Sequence, residues 1–394
     1  MYEALSIAPD PLQGHQPNPQ IYRQTNAPVE SAVLVSMPFT GYSEQRDRTF
    51  VETNEFEIAV TTWGDKGPIV ALLHGVPVNR RATYGVQKRL APFCRTISFD
   101  MLGMGQSSQP VDYGVNQDDP KAWYWINDTI WVNQVMDTLF PNERFTFMAD
   151  DWGGGIAMHY AAANPDRLST LILMDPIAFD GYPVNEIQAI GRSSQLEREK
   201  FVMAMGAFDQ TLVQILKTMV YDPNKLNQYN IRDLIFPYIE VDYERSTSVT
   251  GEDASSNTML LDMNAIGVLA DRSAVLSPSQ LLPYSEKNPD GVKYENVTVP
   301  VLILWGEFDN MMPANQIYRY TWALKNSRVT TVKIPRAGHF AGIDQPELVS
   351  EYVLNFLINS LGKTALADIF LGYTGIWKGD EAEMIVKLRK LYGM

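Results

Sequence analysis

The stretch Phe147-Met148-Ala149-Asp150-Asp151-Trp152-Gly153-Gly154-Gly155 decides how the rest of the chain is read. An apolar, β-prone run from Phe145 to Met148 leads into it, and Ile156 to Ala163 after it reads as a helix. One carboxylate, Asp151, therefore sits where a strand turns sharply into a helix. That is the layout of a nucleophile elbow, in which small residues two before and two after the nucleophile let the backbones pass closely. Here those positions are Ala149 and Gly153. Centred on Asp150, the same turn would need Met148 and Trp152 as its small neighbours, so sterics select Asp151. The helix beginning near Gly153 aims its free N–H groups at that carboxylate and favours the ionised form. An Asp N-cap ahead of a Gly-rich helix start would leave the same letters in this stretch, so the flanking chain must arbitrate.

Outward from the elbow, strands and helices alternate. Ile69 to Leu73 is a continuous apolar run, the mark of a strand buried on both faces. Arg81 to Leu90 reads as a helix, Arg95 to Phe99 as a strand ending at Asp100, and Tyr124 to Leu139 as a helix. Leu171 to Met174, Val299 to Trp305 and Val329 to Ile334 are further strands, with helices at Ala314 to Leu324 and Pro346 to Leu361. Such alternation predicts an α/β fold with a mostly parallel central sheet flanked by helices. Thr49 to Thr53 and Phe56 to Val60 read as a hairpin turning at Asn54.

Three segments stand outside this rhythm. Residues 1–45, rich in Pro, Gln and Asn, read as an extended N-terminal arm. Between Pro176 and Val297, helix-like patches such as Gln195 to Thr218 are broken by Pro223, Pro237, Pro278 and Pro283. That segment reads as an inserted, mainly helical cap, 177–296, over the sheet's carboxyl ends, where open α/β folds bind ligands. The core is then 46–176 with 297–362. Residues 363–394 form a C-terminal helical extension whose amphipathic run, Glu381 to Leu391, predicts packing on the body or, in the second reading, a dimer contact.

Composition narrows the function. A chain of 394 residues, 45% hydrophobic, is long enough for a large core. The net charge of −14 disfavours nucleic acid and anionic membrane surfaces as partners. No apolar run is long enough to span a membrane and no signal peptide is seen at Met1, so a cytoplasmic location is expected. Four histidines and one cysteine, without paired spacing, predict no metal site. Cys94 beside Phe93 reads as buried. Gly103-Met104-Gly105 begins like a dinucleotide fingerprint but the third glycine is missing, so no cofactor is expected.

Four further motifs fall at strand ends. His74-Gly75-Val76-Pro77 follows the strand ending at Leu73, where a loop can supply one backbone N–H of an oxyanion hole, the other coming from Trp152. Trp305-Gly306-Glu307-Phe308-Asp309 puts Asp309 just past a strand end, and Ala337-Gly338-His339-Phe340 sets His339 in the loop after the last strand. His159 has no such context and reads as a packed helix residue. With Asp100-x-x-Gly103-x-Gly105-x-Ser107, these motifs make residues 49–361, weakly through the cap, resemble the α/β-hydrolase fold, in its aspartate-nucleophile group of epoxide hydrolases and haloalkane dehalogenases. The order Asp151, Asp309, His339 matches that family's order of nucleophile, acid and histidine. No Gly-x-Ser-x-Gly elbow occurs, which argues against a serine esterase or lipase.

The resemblance implies a covalent mechanism. Asp151 attacks an electrophilic carbon and becomes an alkyl ester. His339, oriented by Asp309, deprotonates a water that hydrolyses the ester, with the oxyanion on the N–H groups of Val76 and Trp152. It further implies that an epoxide needs a tyrosine donor from the cap. A halide needs the tryptophan after the nucleophile plus a second donor, an Asn at position 76 or a cap tryptophan. Position 76 is Val and the insert holds no Trp, whereas it holds Tyr182, Tyr221, Tyr229, Tyr238, Tyr243, Tyr284 and Tyr294. This favours an epoxide, with a small apolar-to-neutral organic substrate and water as partners. Dehalogenation by the same triad, or a retained binding pocket without hydrolysis, stays open. So does Asp175, at the preceding strand end, as the catalytic acid in place of Asp309. Asp150 would raise the nucleophile's pKa if it faced the pocket, but adjacent strand residues point apart. Oligomeric state is left open.

Overall fold

The computed structural model describes residues 27–37, 42–46, 49–108, 110–111, 124–182, 208–228, 239–241, 259–261 and 278–362, with single positions between 183 and 235. Its body is an eight-stranded sheet. In chain order the strands are β1 (Val29–Ser36), β4 (Glu55–Trp63), β5 (Ile69–Leu73), β6 (Arg95–Phe99), β8 (Phe145–Asp150), β9 (Leu168–Met174), β12 (Val301–Gly306) and β13 (Val329–Ile334). In space they run β1-β4-β6-β5-β8-β9-β12-β13. From β6 to β13 every neighbouring pair is parallel, while β4 runs antiparallel to both β1 and β6.

The apolar runs explain the order. Every residue of β5, β8 and β12 is buried, as expected for central strands covered on both faces. At the edge, β13 keeps Thr330, Thr331 and Lys333 outward, a polar rim that discourages further pairing. Helices α2 (Trp125–Leu139) and α3 (Asp151–Ala163) pack on one face, around Trp131, Phe147 and Tyr160. On the other face α1 (Tyr84–Leu90) and Pro346–Leu361 pack around Val70, Met148 and Leu304. The Pro346 helix starts with its proline in the first turn and stops at Gly362, whose φ is +92°.

Three expectations need correction. Val29–Ser36, placed in the extended arm, is strand β1 of the main sheet, with Val33 and Val35 buried against the core. Residues 1–26 lie outside the described part. Next, Thr49–Thr53 (β3) does not pair with β4. It forms a hairpin with β2 (Tyr42–Arg46), in register Arg46↔Thr49, and β7 (Pro110–Val111) completes a three-stranded sheet. The reason is edge occupancy: one side of β4 is bonded along its length to β1, and the other is taken by β6 at residues 60–63 and by Ser107 and Ser108 at Glu57 and Ala59. Lastly, the helix after the elbow begins at Asp151 itself, two residues before Gly153.

Of the expected cap, the described residues include a helix at Phe208–Met219, a 3-10 turn at Pro223–Gln228, and a short ladder between β10 (Ile239–Val241) and β11 (Met259–Leu261). Residues 195–207 and the expected terminal helix, 381–391, lie outside the described part. The parallel strands end side by side, so His74, Asp150, Asp151, Asp175, Asp309 and His339 all emerge at one edge of the body. Among the described residues no helix is long and apolar enough to cross a membrane.

Candidate active site

Asp151 is held in a left-handed backbone conformation, φ +46°, which costs a non-glycine residue energy and is sustained only by its surroundings. Two glycines make the conformation possible. A Cβ on Gly153 would lie 2.7 Å from the His74 carbonyl oxygen and 2.8 Å from that of Leu73, so only glycine lets the helix pass the end of β5. A Cβ on Gly75 would strike the Asp151 side chain, with Oδ2 2.7 Å away. The close passage inferred from the sequence is therefore present, at Gly153 and also at Gly75.

The carboxylate is 3% exposed and engaged at both oxygens. The Val76 N–H donates to Oδ2 at 2.8 Å, and His339 Nε2 lies 3.4 Å from Oδ1. On its other side the His339 ring meets Asp309, with Nδ1 and Oδ2 3.1 Å apart. Asp309 is itself fixed, since its Oδ1 accepts from the N–H groups of Met311 and Met312 at 2.8 and 3.0 Å. Burial pulls the His339 pKa down, but the Asp309 and Asp151 carboxylates outweigh it and hold it well above 6.5.

Asp175 is placed differently. Its Oδ1 accepts from the Gly306 N–H at 2.6 Å, at the root of the loop carrying Asp309, and its Oδ2 is buried without a hydrogen-bond partner among the described residues. It too has a positive φ, +41°. It makes no hydrogen bond to the His339 ring, which Asp309 occupies. Asp150 is 6% exposed, its Oδ1 has no hydrogen-bond partner among the described residues, and it lies in the field of His339, Asp151 and Asp309. Burial drives its pKa well above the carboxylate range, and the neighbouring carboxylates add to this against His339. Asp175 is pushed the same way, by burial first and then by Asp309.

Trp152 is fully buried and its indole Nε1 donates to the Tyr182 hydroxyl. Tyr182 lies just past a 3-10 turn, Phe179–Gly181, and is 4% exposed. Burial raises its pKa, the Asp151 charge raises it further, and the indole hydrogen bond opposes both. Of the other described tyrosines of the insert, Tyr294 is buried in the core, while Tyr221 and Tyr284 are exposed. Tyr294 stacks on Phe179 at 5.6 Å and donates to the Leu281 carbonyl. Tyr221 packs on Phe308, and Lys293 lies over Tyr284. Tyr229, Tyr238 and Tyr243 lie outside the described residues. His159 is a packed residue, its Nε2 against the Gln280 carbonyl, and burial lowers its pKa to about 4.

The Val76 loop rests on a buried polar cluster that its own residues do not announce. His74 accepts the Met101 N–H at Nε2, so Nδ1 carries the proton and donates to the Gly75 carbonyl. Burial keeps this ring below 6.5, and it serves as a neutral brace. Asp100 accepts from the Arg80 and Gln106 N–H groups at 2.7 and 2.8 Å and pairs with the Arg80 guanidinium, which also reaches Thr61 at 2.9 Å. Gly105, at φ +55°, wraps this carboxylate, and a Cβ there would collide with it. The Gly103-Met104-Gly105 run is thus a turn around Asp100. Arg80 was missed because nothing in the local pattern links it to Asp100. Arg80→Ala would leave Asp100, fully buried, without its counter-charge. It is expected to lower stability by about 3–5 kcal/mol, read from the urea unfolding midpoint.

Among the described residues, no group of three or more His, Cys, Asp or Glu side chains is arranged to hold a metal ion. A family model described as alpha/beta hydrolase fold matches residues 68–346. Epoxide hydrolase 3 of Xenopus tropicalis is 27% identical over 307 residues, spanning 75% of this chain and 72% of that protein. A haloalkane dehalogenase of Mesorhizobium japonicum is 31% identical over 113 residues, 28% of this chain and 33% of that one. Among solved structures, a thermophilic esterase from Thermogutta terrifontis superposes with a TM-score of 0.56 at 20% identity, covering 84% of this chain and 99% of that chain.

Proposed function

Since the chain belongs to the α/β-hydrolase fold family and is a hydrolase of that type, we propose that it opens epoxides through an ester on Asp151. The observation that carries this reading is the Tyr182 hydroxyl. It accepts from the indole of Trp152, the residue next to Asp151, and lies in the field of that carboxylate, leaving its own O–H as a donor. That arrangement serves a developing alkoxide. It also engages the indole N–H that a departing halide would require, which weighs against dehalogenation.

The chemistry then runs in two steps. Asp151 Oδ1 attacks a ring carbon of a small, apolar-to-neutral epoxide, the carbon–oxygen bond breaks, and the alkoxide takes the Tyr182 proton. Neutral His339 next takes a proton from water, and the hydroxide adds to the Asp151 ester carbonyl. The resulting oxyanion is at Oδ2, against the Val76 N–H already 2.8 Å away, with the Trp152 N–H as second donor. Collapse breaks the acyl–oxygen bond, and His339 returns its proton to the departing diol. The regenerated carboxyl gives up its proton to Tyr182. One epoxide and one water become one diol.

Asp309 is the acid in this reading because it holds His339 Nδ1. Asp175 acts further back, on the Gly306 N–H. The test is product analysis: an aryl epoxide such as styrene oxide should yield diol, and a short bromoalkane should release little bromide. Rapid bromide release without diol would overturn the assignment in favour of a dehalogenase. Tight binding of epoxide or diol with no turnover would favour a binding homologue. Tyr182→Phe is expected to slow alkylation of Asp151 about 10²-fold in single-turnover measurements, while decay of the ester changes little.

A further inference from the structure

We infer that Asp344 is a positioning residue that locks the end of the Phe208–Met219 cap helix to the loop carrying His339, so that the seat of the cap sets the place of the catalytic base. The inference rests on the reading of His339 as the base for ester hydrolysis.

Asp344 ends the short helix Ala341–Asp344 and is 1% exposed. Its carboxylate binds both sides of a junction. Oδ2 accepts the Gly338 N–H at 2.9 Å, next to His339, and the Tyr221 N–H at 2.7 Å, just past the cap helix. Oδ1 accepts the Asp222 N–H at 3.1 Å. These partners lie far apart in sequence, so one side chain splices two distant segments. The same segments touch at other points. The Phe340 N–H donates to the Met219 carbonyl at 3.2 Å. On the neighbouring loop, Asn310, the residue after Asp309, donates from Nδ2 to the Thr218 carbonyl at 2.8 Å. A Cβ on Gly338 would lie 2.6 Å from the Met219 oxygen and 2.9 Å from the Tyr221 nitrogen, so the two backbones are in direct contact.

Thr218 to Asp222 is therefore bonded to both loops that present the acid and the base. Displacement of that segment pulls on the Gly338 N–H through Asp344, one residue from His339. Asp151 is held elsewhere, by the Val76 loop and the elbow. The two chemical steps should consequently respond unequally. Alkylation needs Asp151 and Tyr182. Ester hydrolysis needs His339 in place, and a misplacement on the order of 1 Å costs about 10²-fold.

The experiment compares Asp344→Ala and Asp344→Asn with the native chain in single-turnover epoxide reactions, following both steps by mass spectrometry of the Asp151 peptide. Asp344→Ala should slow ester decay about 10²-fold, with alkylation changed less than about threefold. Asp344→Asn keeps one carbonyl acceptor and should restore part of the loss. Hydrogen exchange supplies a readout that needs no substrate: the Tyr221, Asp222 and Gly338 amides should lose protection together in Asp344→Ala, and to a smaller extent in Asp344→Asn. Equal slowing of both steps, a rise in KM alone, or unchanged rates would overturn the inference. So would loss of protection at Tyr221 and Asp222 with Gly338 still protected. If Asp344→Ala does not fold, Asp344→Asn carries the test. If neither the native chain nor His339→Gln ever forms an adduct on Asp151, the proposed reaction fails. The lock is then judged by whether the three amides open together and the His339 ring signals shift in the NMR spectrum of Asp344→Ala, with Asp344→Asn showing the smaller change.

Discussion

Asp151→Ala is expected to abolish epoxide turnover, with a fall in kcat on the order of 10⁶-fold, comparable to removing the nucleophile of a serine hydrolase. The substitution removes the atom that forms the ester, and no neighbour can replace it. Asp150 is the adjacent carboxylate, but burial holds it toward the neutral acid, which is a poor nucleophile. The fold should survive. Asp151 sits in a strained conformation, and alanine leaves the Gly75 and Gly153 passage open. Asp150→Ala should keep much of the activity. The measurement is steady-state diol formation by both variants, with circular dichroism to check folding. Activity in Asp151→Ala and none in Asp150→Ala would mean that the elbow is centred on the other carboxylate.

His339→Gln is expected to separate the two steps. Asp151 should still be alkylated, while ester hydrolysis loses its general base and slows by about 10²–10⁴-fold. The ester should then accumulate as one substrate mass on the peptide containing Asp151. Asp309→Asn should stall at the same point more mildly, and Asp175→Asn less again, since an amide oxygen can still accept the Gly306 N–H. A stall in Asp175→Asn without one in Asp309→Asn would move the acid to Asp175. Normal turnover by His339→Gln would refute the covalent reading.

The same residue sets a pH dependence. In the resting site two carboxylates hold the His339 proton, which places its pKa well above 6.5 despite burial. Alkylation neutralises Asp151 and removes one of them. The imidazole of the ester form must therefore titrate at lower pH, which frees it to act as a base. Ester decay in single turnover should rise with pH through an apparent pKa below the one found for His339 by NMR in the free protein. For stability the sign is that of a raised histidine. Its contribution is complete below about 6.5, where the unfolded residue is also charged, and is lost as pH rises through the folded value. His339→Gln should remove that slope from the urea midpoint.

Most strands and helices of the body were legible because each depends on local pattern. Ile69–Leu73 is a continuous apolar run, Val329–Ile334 is rich in β-branched residues, and the Pro346 helix carries its own start and stop. The elbow was legible for a steric reason contained in adjacent residues: Gly153, two after Asp151, is where a side chain would strike β5. The family pattern added Asp309 and His339 because both follow strands that run parallel and side by side. Pairing of β3 was not legible, since it turns on which edges of β4 are free, a property of β1, β6 and the distant Ser107 and Ser108. Only the tertiary structure decided which carboxylate meets His339, for Asp175 and Asp309 both end neighbouring strands and differ by where one loop turns. It also set Tyr182, among the insert's described tyrosines, against the Trp152 indole, and it joined Asp344 to Tyr221 across the chain. Those outcomes depend on distances between segments far apart in sequence, and local periodicity and turn sterics carry no information about them.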